Sequence, residues 1–264
     1  MFAQINELIK VIDDAVWGLP LICLIMVTGI LLTVRLGGVQ VRHLGKAFKF
    51  MFQDEEDGHG EVTSFGALCT ALSATIGTGN IAGVATAIAA GGPGALFWMV
   101  VAAFFGMATK YSEGLLAIKY RTIDQDGHVL GGPFYYIENG MGKKWKWLAK
   151  IFAFFGAGVG LFGIGTFTQV NSIASAVKNF FDPDMAHTVT VLGNDYSIAT
   201  VIAGILLTVF VGLVVIGGIK RISKVSEVVV PFMAVFYLGL FLIFFFINIK
   251  AVAGGFFEII NRAF

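Results

Sequence analysis

Apolar residues in this chain come in long runs, broken by short charged or glycine-rich connections. A bilayer crossing takes roughly 20 apolar residues in a helix, and the runs 15–36, 63–92, 95–120, 147–177, 197–218 and 228–249 each predict one. Glu7, Lys10, Asp13 and Asp14 precede the first run in a short amphipathic start. That segment lacks a basic n-region and the run exceeds a usual signal h-region, so it reads as a retained membrane helix. Residues 39–52 alternate basic and apolar positions, as an interfacial helix on an anionic leaflet does, and an acidic loop follows to Glu61. Lys110 and Glu113 lie late in their run at i,i+3 and read as a snorkelling pair. Residues 121–146 are polar, and residues 179–196 form a loop carrying Asp182, Asp184 and Asp195. Pro231 falls in the first turn of the last crossing, where proline costs little. Residues 250–264 are short and amphipathic.

One run breaks the pattern from within. Thr63 to Gly92 carries no charge, yet its middle reads Thr75-Ile76-Gly77-Thr78-Gly79-Asn80. Each glycine costs a helix about 1 kcal/mol relative to alanine. Irregular backbone at membrane depth is tolerated only where it faces protein or a water-filled cavity. The stretch reads as the unwound centre of a discontinuous helix, whose freed amides and carbonyls hold a small ligand and an ion. A small-residue packing face of GxxxG character is the other local reading. A second polar patch lies in the run 147–177. Glycines at 156, 158, 160, 163 and 165 there allow close helix approach, and Thr166, Thr168, Gln169, Asn171 and Ser172 follow. Gln169 and Asn171 do not share a face, and Gln169 is the one we expect to meet a cavity.

Composition sharpens the class. Of 264 residues, 57% are hydrophobic and 13% charged, and mean hydropathy is +0.83. Soluble domains carry about 25% charged residues, so this is an all-α polytopic membrane protein. A net charge of +1 gives no sign of nucleic-acid binding. Cys23 and Cys69 sit in apolar runs and read as small buried hydrophobes rather than a disulfide. The four histidines form no ligand cluster. Basic residues gather in the connections 35–49, 119–146 and 220–224. The positive-inside rule puts those in the cytoplasm and the N-terminus outside.

Four kinds of chemistry fit a glycine-threonine break unequally. GTGN lacks the Lys-Ser/Thr and the strand context of a nucleotide loop. No nucleophile-base or paired-carboxylate constellation sits at membrane depth, so no enzyme is indicated. Thr75 to Gly79 resembles the TVGYG potassium filter, which makes an ion channel one alternative. A non-transporting helical membrane protein is another. A carrier site fits both ends of the break. The half-helix starting near Asn80 points its amides at a carboxylate, and the carbonyls from Ser73 to Ile76 suit a cation.

The stretches GTGNIAGVATAIAAGGPGALFWM, AAFFGMATKYSEGLLAIKYR, GGPFYYIENG, FGIGTFTQVNSIA and GGIKRISKVSEVVVPFMAVFY together resemble the alanine-or-glycine:cation symporter family, the sodium:alanine symporters. The likeness covers nearly the whole chain. It implies a leucine-transporter-like fold of two inverted five-helix repeats, each with a broken first helix. On that basis residues 1–62 hold an extra membrane helix and an interfacial helix, and 63–249 the first repeat. Residues 250–264 would be the connection to a second repeat that this chain lacks, so a fragment of a longer symporter is expected.

The function implied is sodium-coupled import of alanine or glycine across a bacterial inner membrane, with Na⁺ as coupling ion and no other cofactor. The expected partners are a small neutral amino acid, Na⁺, the lipid bilayer and the C-terminal repeat. By the same resemblance, Gly77, Thr78, Gly79 and Gln169 bind substrate, and Ser73, Thr75, Ile76 and Asn80 face ions. The family more usually reads GIGNMVQANS where this sequence has GIGTFTQVNS, so the surroundings of Gln169 differ.

Overall fold

The computed structural model describes residues 2–53, 61–191 and 193–264. Most of the acidic loop lies outside them. The helices, in order, are α1 Phe2–Val16, α2 Leu19–Arg35, α3 Val39–Arg42, α4 Leu44–Met51, α5 Ser64–Thr75, α6 Ala82–Gly91, α7 Gly94–Lys119, α8 Pro133–Met141, α9 Lys146–Phe162, α10 Ile164–Phe181, α11 Ile198–Val215, α12 Gly218–Ile247 and α13 Ile249–Asn261. Two short antiparallel hairpins interrupt them: β1 Thr122–Ile123 with β2 Val129–Leu130, and β3 Thr188–Val191 with β4 Asn194–Ser197. Among the described residues, five helical stretches are long and apolar enough to cross a membrane: Gln4–Arg35, Gly94–Lys119, Lys143–Phe181, Ile198–Val215 and Gly218–Ile247. The bent pair α5–α6 makes a sixth if it counts as one span. The molecule is therefore a multi-pass α-helical membrane protein.

Helix contacts rest on small side chains. Cys69, Ala108, Ala149, Ala203 and Val230 are the buried apolar residues among those described. Most large apolar side chains point outward, as lipid-facing helices require. α2 packs along α7, and α5 along α12. At Gly29 a Cβ would lie 3.0 Å from both the Cβ and the carbonyl oxygen of Phe105, so glycine sets the spacing of α2 and α7.

Several sequence expectations need correction. α12 begins at Gly218, not near Val228, so Pro231 lies inside the helix rather than in its first turn. Residues 218–227 are polar but keep helical spacing, and they extend the apolar rod toward the basic end. The run 147–177 lies within one candidate crossing, Lys143–Phe181, but that span breaks at Gly163, whose left-handed φ of 59° separates α9 from α10. The first run is also divided, at Trp17-Gly18. Cys69 is buried, but Cys23 is exposed on α2, and both are free thiols. The polar segment 121–146 holds the first hairpin and α8, and the expected loop 179–196 holds most of the second hairpin. Lys110 and Glu113 do pair, at 2.9 Å and well exposed.

Asp182 organises the second hairpin. It is 7% exposed and follows α10 directly. Its carboxylate accepts the Ser197 hydroxyl at 2.5 Å and the Ala186 amide at 2.7 Å, tying the end of α10 to the start of α11. The Ser197 hydroxyl, helped by the Ala186 and His187 amides and opposed by burial, holds this carboxyl below its ordinary value of 3.8. A depressed carboxyl stabilises the fold above that ordinary value and stops doing so as pH falls through the lower folded one. Protection of the Ala186 amide against hydrogen exchange should stay constant from neutral to weakly acidic pH and fall only below 3.8. Loss of protection near neutrality would contradict the assignment.

Candidate functional site

The site is built where α5 stops. Thr63 caps the start of α5, its hydroxyl oxygen accepting the Gly66 amide at 3.0 Å. The helix runs twelve residues to Thr75, whose hydroxyl turns back onto the Ala71 carbonyl at 2.8 Å. Ile76 then turns extended (φ −84°, ψ 108°), as does Gly77 (φ −140°, ψ −169°). A single 3-10 turn, Thr78–Asn80, leads into α6, and the two halves meet at a bend of 67°. β-branched residues weaken the last turn of a helix, and the glycines that follow leave nothing to continue it.

The bend leaves polar backbone unmatched. The Ile76 amide closes the last α5 bond, to the Leu72 carbonyl at 2.7 Å. Among the described residues, no hydrogen bond runs to the carbonyls of Ser73, Ala74, Thr75 or Ile76. These four oxygens lie at the negative end of the α5 dipole. On the other side of the break, Asn80 and Ile81 amides close the 3-10 turn onto Gly77 and Thr78 at 3.0 and 3.1 Å. The Thr78 amide instead points across to α10, where Gln169 Oε1 accepts it at 2.8 Å. The Gln169 amide nitrogen lies over Gly77, so close that a Cβ there would collide with it.

Of the sequence-predicted residues, the structure thus joins Gly77, Thr78 and Gln169. Thr75, Gly79 and Asn80 are exposed at the break, and among the described residues the hydrogen bond to Gln169 comes from Thr78. Ser73 meets a residue that the sequence did not single out: the Ser226 hydroxyl of α12 lies 3.4 Å from the Ser73 hydroxyl. Thr63 and Glu227 did not stand out in the sequence either, and they are joined by a hydrogen bond of 3.0 Å. Glu227 follows Lys220, Arg221 and Lys224, so it reads as the end of a charged connection. Starting the last crossing at Val228 hid it.

An uncharged break with free carbonyls on one lip and an amide-rich turn on the other can hold a zwitterion beside a cation. The family model for the sodium:alanine symporter family matches residues 2–264. The chain belongs to the sodium:alanine symporter family. It is 48% identical over 260 residues to an uncharacterised transporter of Haemophilus influenzae, covering 98% of this chain and 53% of that protein. It is 46% identical over 262 residues to the sodium/alanine symporter AgcS of Methanococcus maripaludis, covering 98% of this chain and 54% of AgcS. A probable sodium/glutamine symporter of Bacillus subtilis, GlnT, is 33% identical over 98% of this chain and 51% of its own length. The chain therefore spans about half the length of the curated relatives it matches. Within this symporter family the break 76–80 and Gln169 are the features that our geometry singles out.

Proposed function

We propose that this chain carries the substrate- and ion-binding break of a sodium-coupled symporter for a small neutral amino acid, alanine or glycine, in the plasma membrane. The observation that carries the reading is the pair of lips at the 67° bend: the carbonyls of Ser73 to Ile76 at the end of α5, unpaired among the described residues, and a turn whose Thr78 amide is held by Gln169. The carbonyls of Ser73, Thr75 and Ile76, with Asn80, face Na⁺. The Gly79 amide, the Thr78 hydroxyl and the Gln169 amide nitrogen take the amino acid, while the Gln169 oxygen holds the Thr78 amide in place and Gly77 leaves room for that side chain. Family membership and the name of AgcS support sodium and alanine; the name of GlnT, a probable sodium/glutamine symporter, makes glutamine the competing substrate.

The arrangement fits a leucine-transporter-like repeat running from the broken α5–α6 through α7, α9–α10 and α11 to α12, preceded by α2. The relatives' further length is room for a second repeat. The basic connections put the N-terminus outside. No covalent chemistry is involved. The potassium-filter alternative is not favoured. A filter needs a run of extended carbonyls, and here only Ile76 and Gly77 are extended before the 3-10 turn starts.

Uptake of labelled alanine by proteoliposomes tests the reading. Uptake should follow an inward Na⁺ gradient, vanish when K⁺ replaces Na⁺, and fall in Thr78→Val. Uptake indifferent to Na⁺ would overturn it.

A further inference from the structure

The two half-helices are held by different partners. α6 packs on α7, whereas α5 packs along α12 and touches α4. α12 grips α5 at two levels. Near the break, the Ser226 hydroxyl lies 3.4 Å from that of Ser73. At the far end, Thr63 donates its hydroxyl hydrogen to Glu227 Oε1 at 3.0 Å while accepting the Gly66 amide. A Cβ on Gly66 would collide with Glu227 Oε1 and with Ser223 Oγ. Glycine there lets a carboxylate come up against the first turn of α5.

Glu227 is the one acidic residue of α12, ten residues into a thirty-residue helix. Among the described residues no Lys, Arg or His forms an ion pair with it. Glu227 is half-buried at the end of a segment that also carries Lys220, Arg221 and Lys224. Its carboxylate lies against the amide end of α5, whose dipole favours negative charge, and accepts the Thr63 hydroxyl. The α5 rod is about 18 Å long at 1.5 Å per residue, with this grip at one end and the carbonyls of Ser73 to Ile76 at the other.

We propose that Glu227 is a positioning residue for the ion side of the break. It holds the Thr63 cap of α5 from across the seam and thereby fixes where the carbonyls of Ser73, Thr75 and Ile76 stand. Its effect on transport rests on the symport reading above; its grip on α5 does not.

Two readouts keep these apart, both made on the full protein in membranes. The first is the rate at which N-ethylmaleimide modifies Cys69, which is 1% exposed on α5, in a Cys23→Ser background. The second is the Na⁺ concentration for half-maximal alanine uptake. Losing a hydrogen bond to a charged group should raise both the Cys69 rate and the half-saturating Na⁺ about tenfold in Glu227→Ala, with maximal uptake at saturating Na⁺ little changed. Glu227→Gln keeps an oxygen for Thr63 and should recover most of both. Thr63→Val, which keeps Glu227, should shift half-saturation in the same direction.

Unchanged half-saturation in both Glu227→Ala and Thr63→Val would overturn the proposal. A Glu227→Gln variant no better than Glu227→Ala would also overturn it, because the charge itself would then meet the ion. If wild-type uptake ignores Na⁺, the symport reading fails alone, and the Cys69 rates decide the grip: faster modification in Glu227→Ala with recovery in Glu227→Gln supports it, and equal rates in all three overturn it.

Discussion

Gly77→Ala is expected to leave the protein folded and inserted while weakening apparent alanine affinity about 10- to 100-fold, the effect of losing a polar partner in a partly buried site. The expectation follows from which atom yields. Gly77 is extended, a conformation open to any residue, so the backbone bears no strain on substitution. The new Cβ meets the amide nitrogen of Gln169, the free end of a flexible side chain. That side chain swings away, and the Thr78 amide loses its 2.8 Å acceptor. Gln169→Leu should produce a loss of the same size, and the double variant should be no worse than either single one, because both remove one interaction. Uptake kinetics at saturating Na⁺ measure all three. Additive losses would show that Gly77 and Gln169 act separately.

Gly94→Val is expected to do the opposite, costing stability of about 1–3 kcal/mol through overpacking. Gly94 opens α7 and is buried against the chain's last residues. Its Cβ would collide with the Arg262 carbonyl, a backbone atom that cannot rotate aside. The same corner is fastened by the Trp98 indole N–H, which donates to the Ala263 carbonyl at 3.0 Å. Phe264 lies with its ring centroid 5.4 Å from Phe97 and 5.8 Å from Trp98. Displacing Arg262 therefore undoes the hydrogen bond and the aromatic cluster together. Thermal unfolding in detergent should show a drop of several degrees for Gly94→Val. Trp98→Phe should show a smaller drop, since it keeps the ring and loses only the indole bond. An unchanged melting temperature in Gly94→Val would mean that α13 is free to lift from α7.

The contrast between these glycines marks what sequence could and could not disclose. Apolar run length is a property of the chain alone, so the crossings were legible. So was the interruption between Thr75 and Asn80, because two glycines and an asparagine weaken a helix wherever they fall and nothing charged surrounds them to suggest a loop. Helical geometry put Gln169 and Asn171 on different faces without choosing between them, and it is Gln169 that reaches Thr78. The start of α12 was not legible. Its first ten residues carry Lys220, Arg221, Lys224 and Glu227, and hydropathy scores such a segment as a connection whether or not it is helical. Gly163 was one of five glycines in its run, and only the backbone shows that it alone is left-handed. Gly66 gave no sign of its role, because the need for a missing Cβ is set by Glu227, 161 positions along the sequence.

Pro231 sits four residues beyond Glu227 in α12. A proline nitrogen bears no hydrogen, so the main-chain oxygen of Glu227 has no i→i+4 donor above it. The gripping helix is thus most compliant beside the residue that does the gripping: flexing there stretches one rung fewer than anywhere else along its length. Tension applied through α5 would be absorbed at that turn before it reached the rest of the bundle.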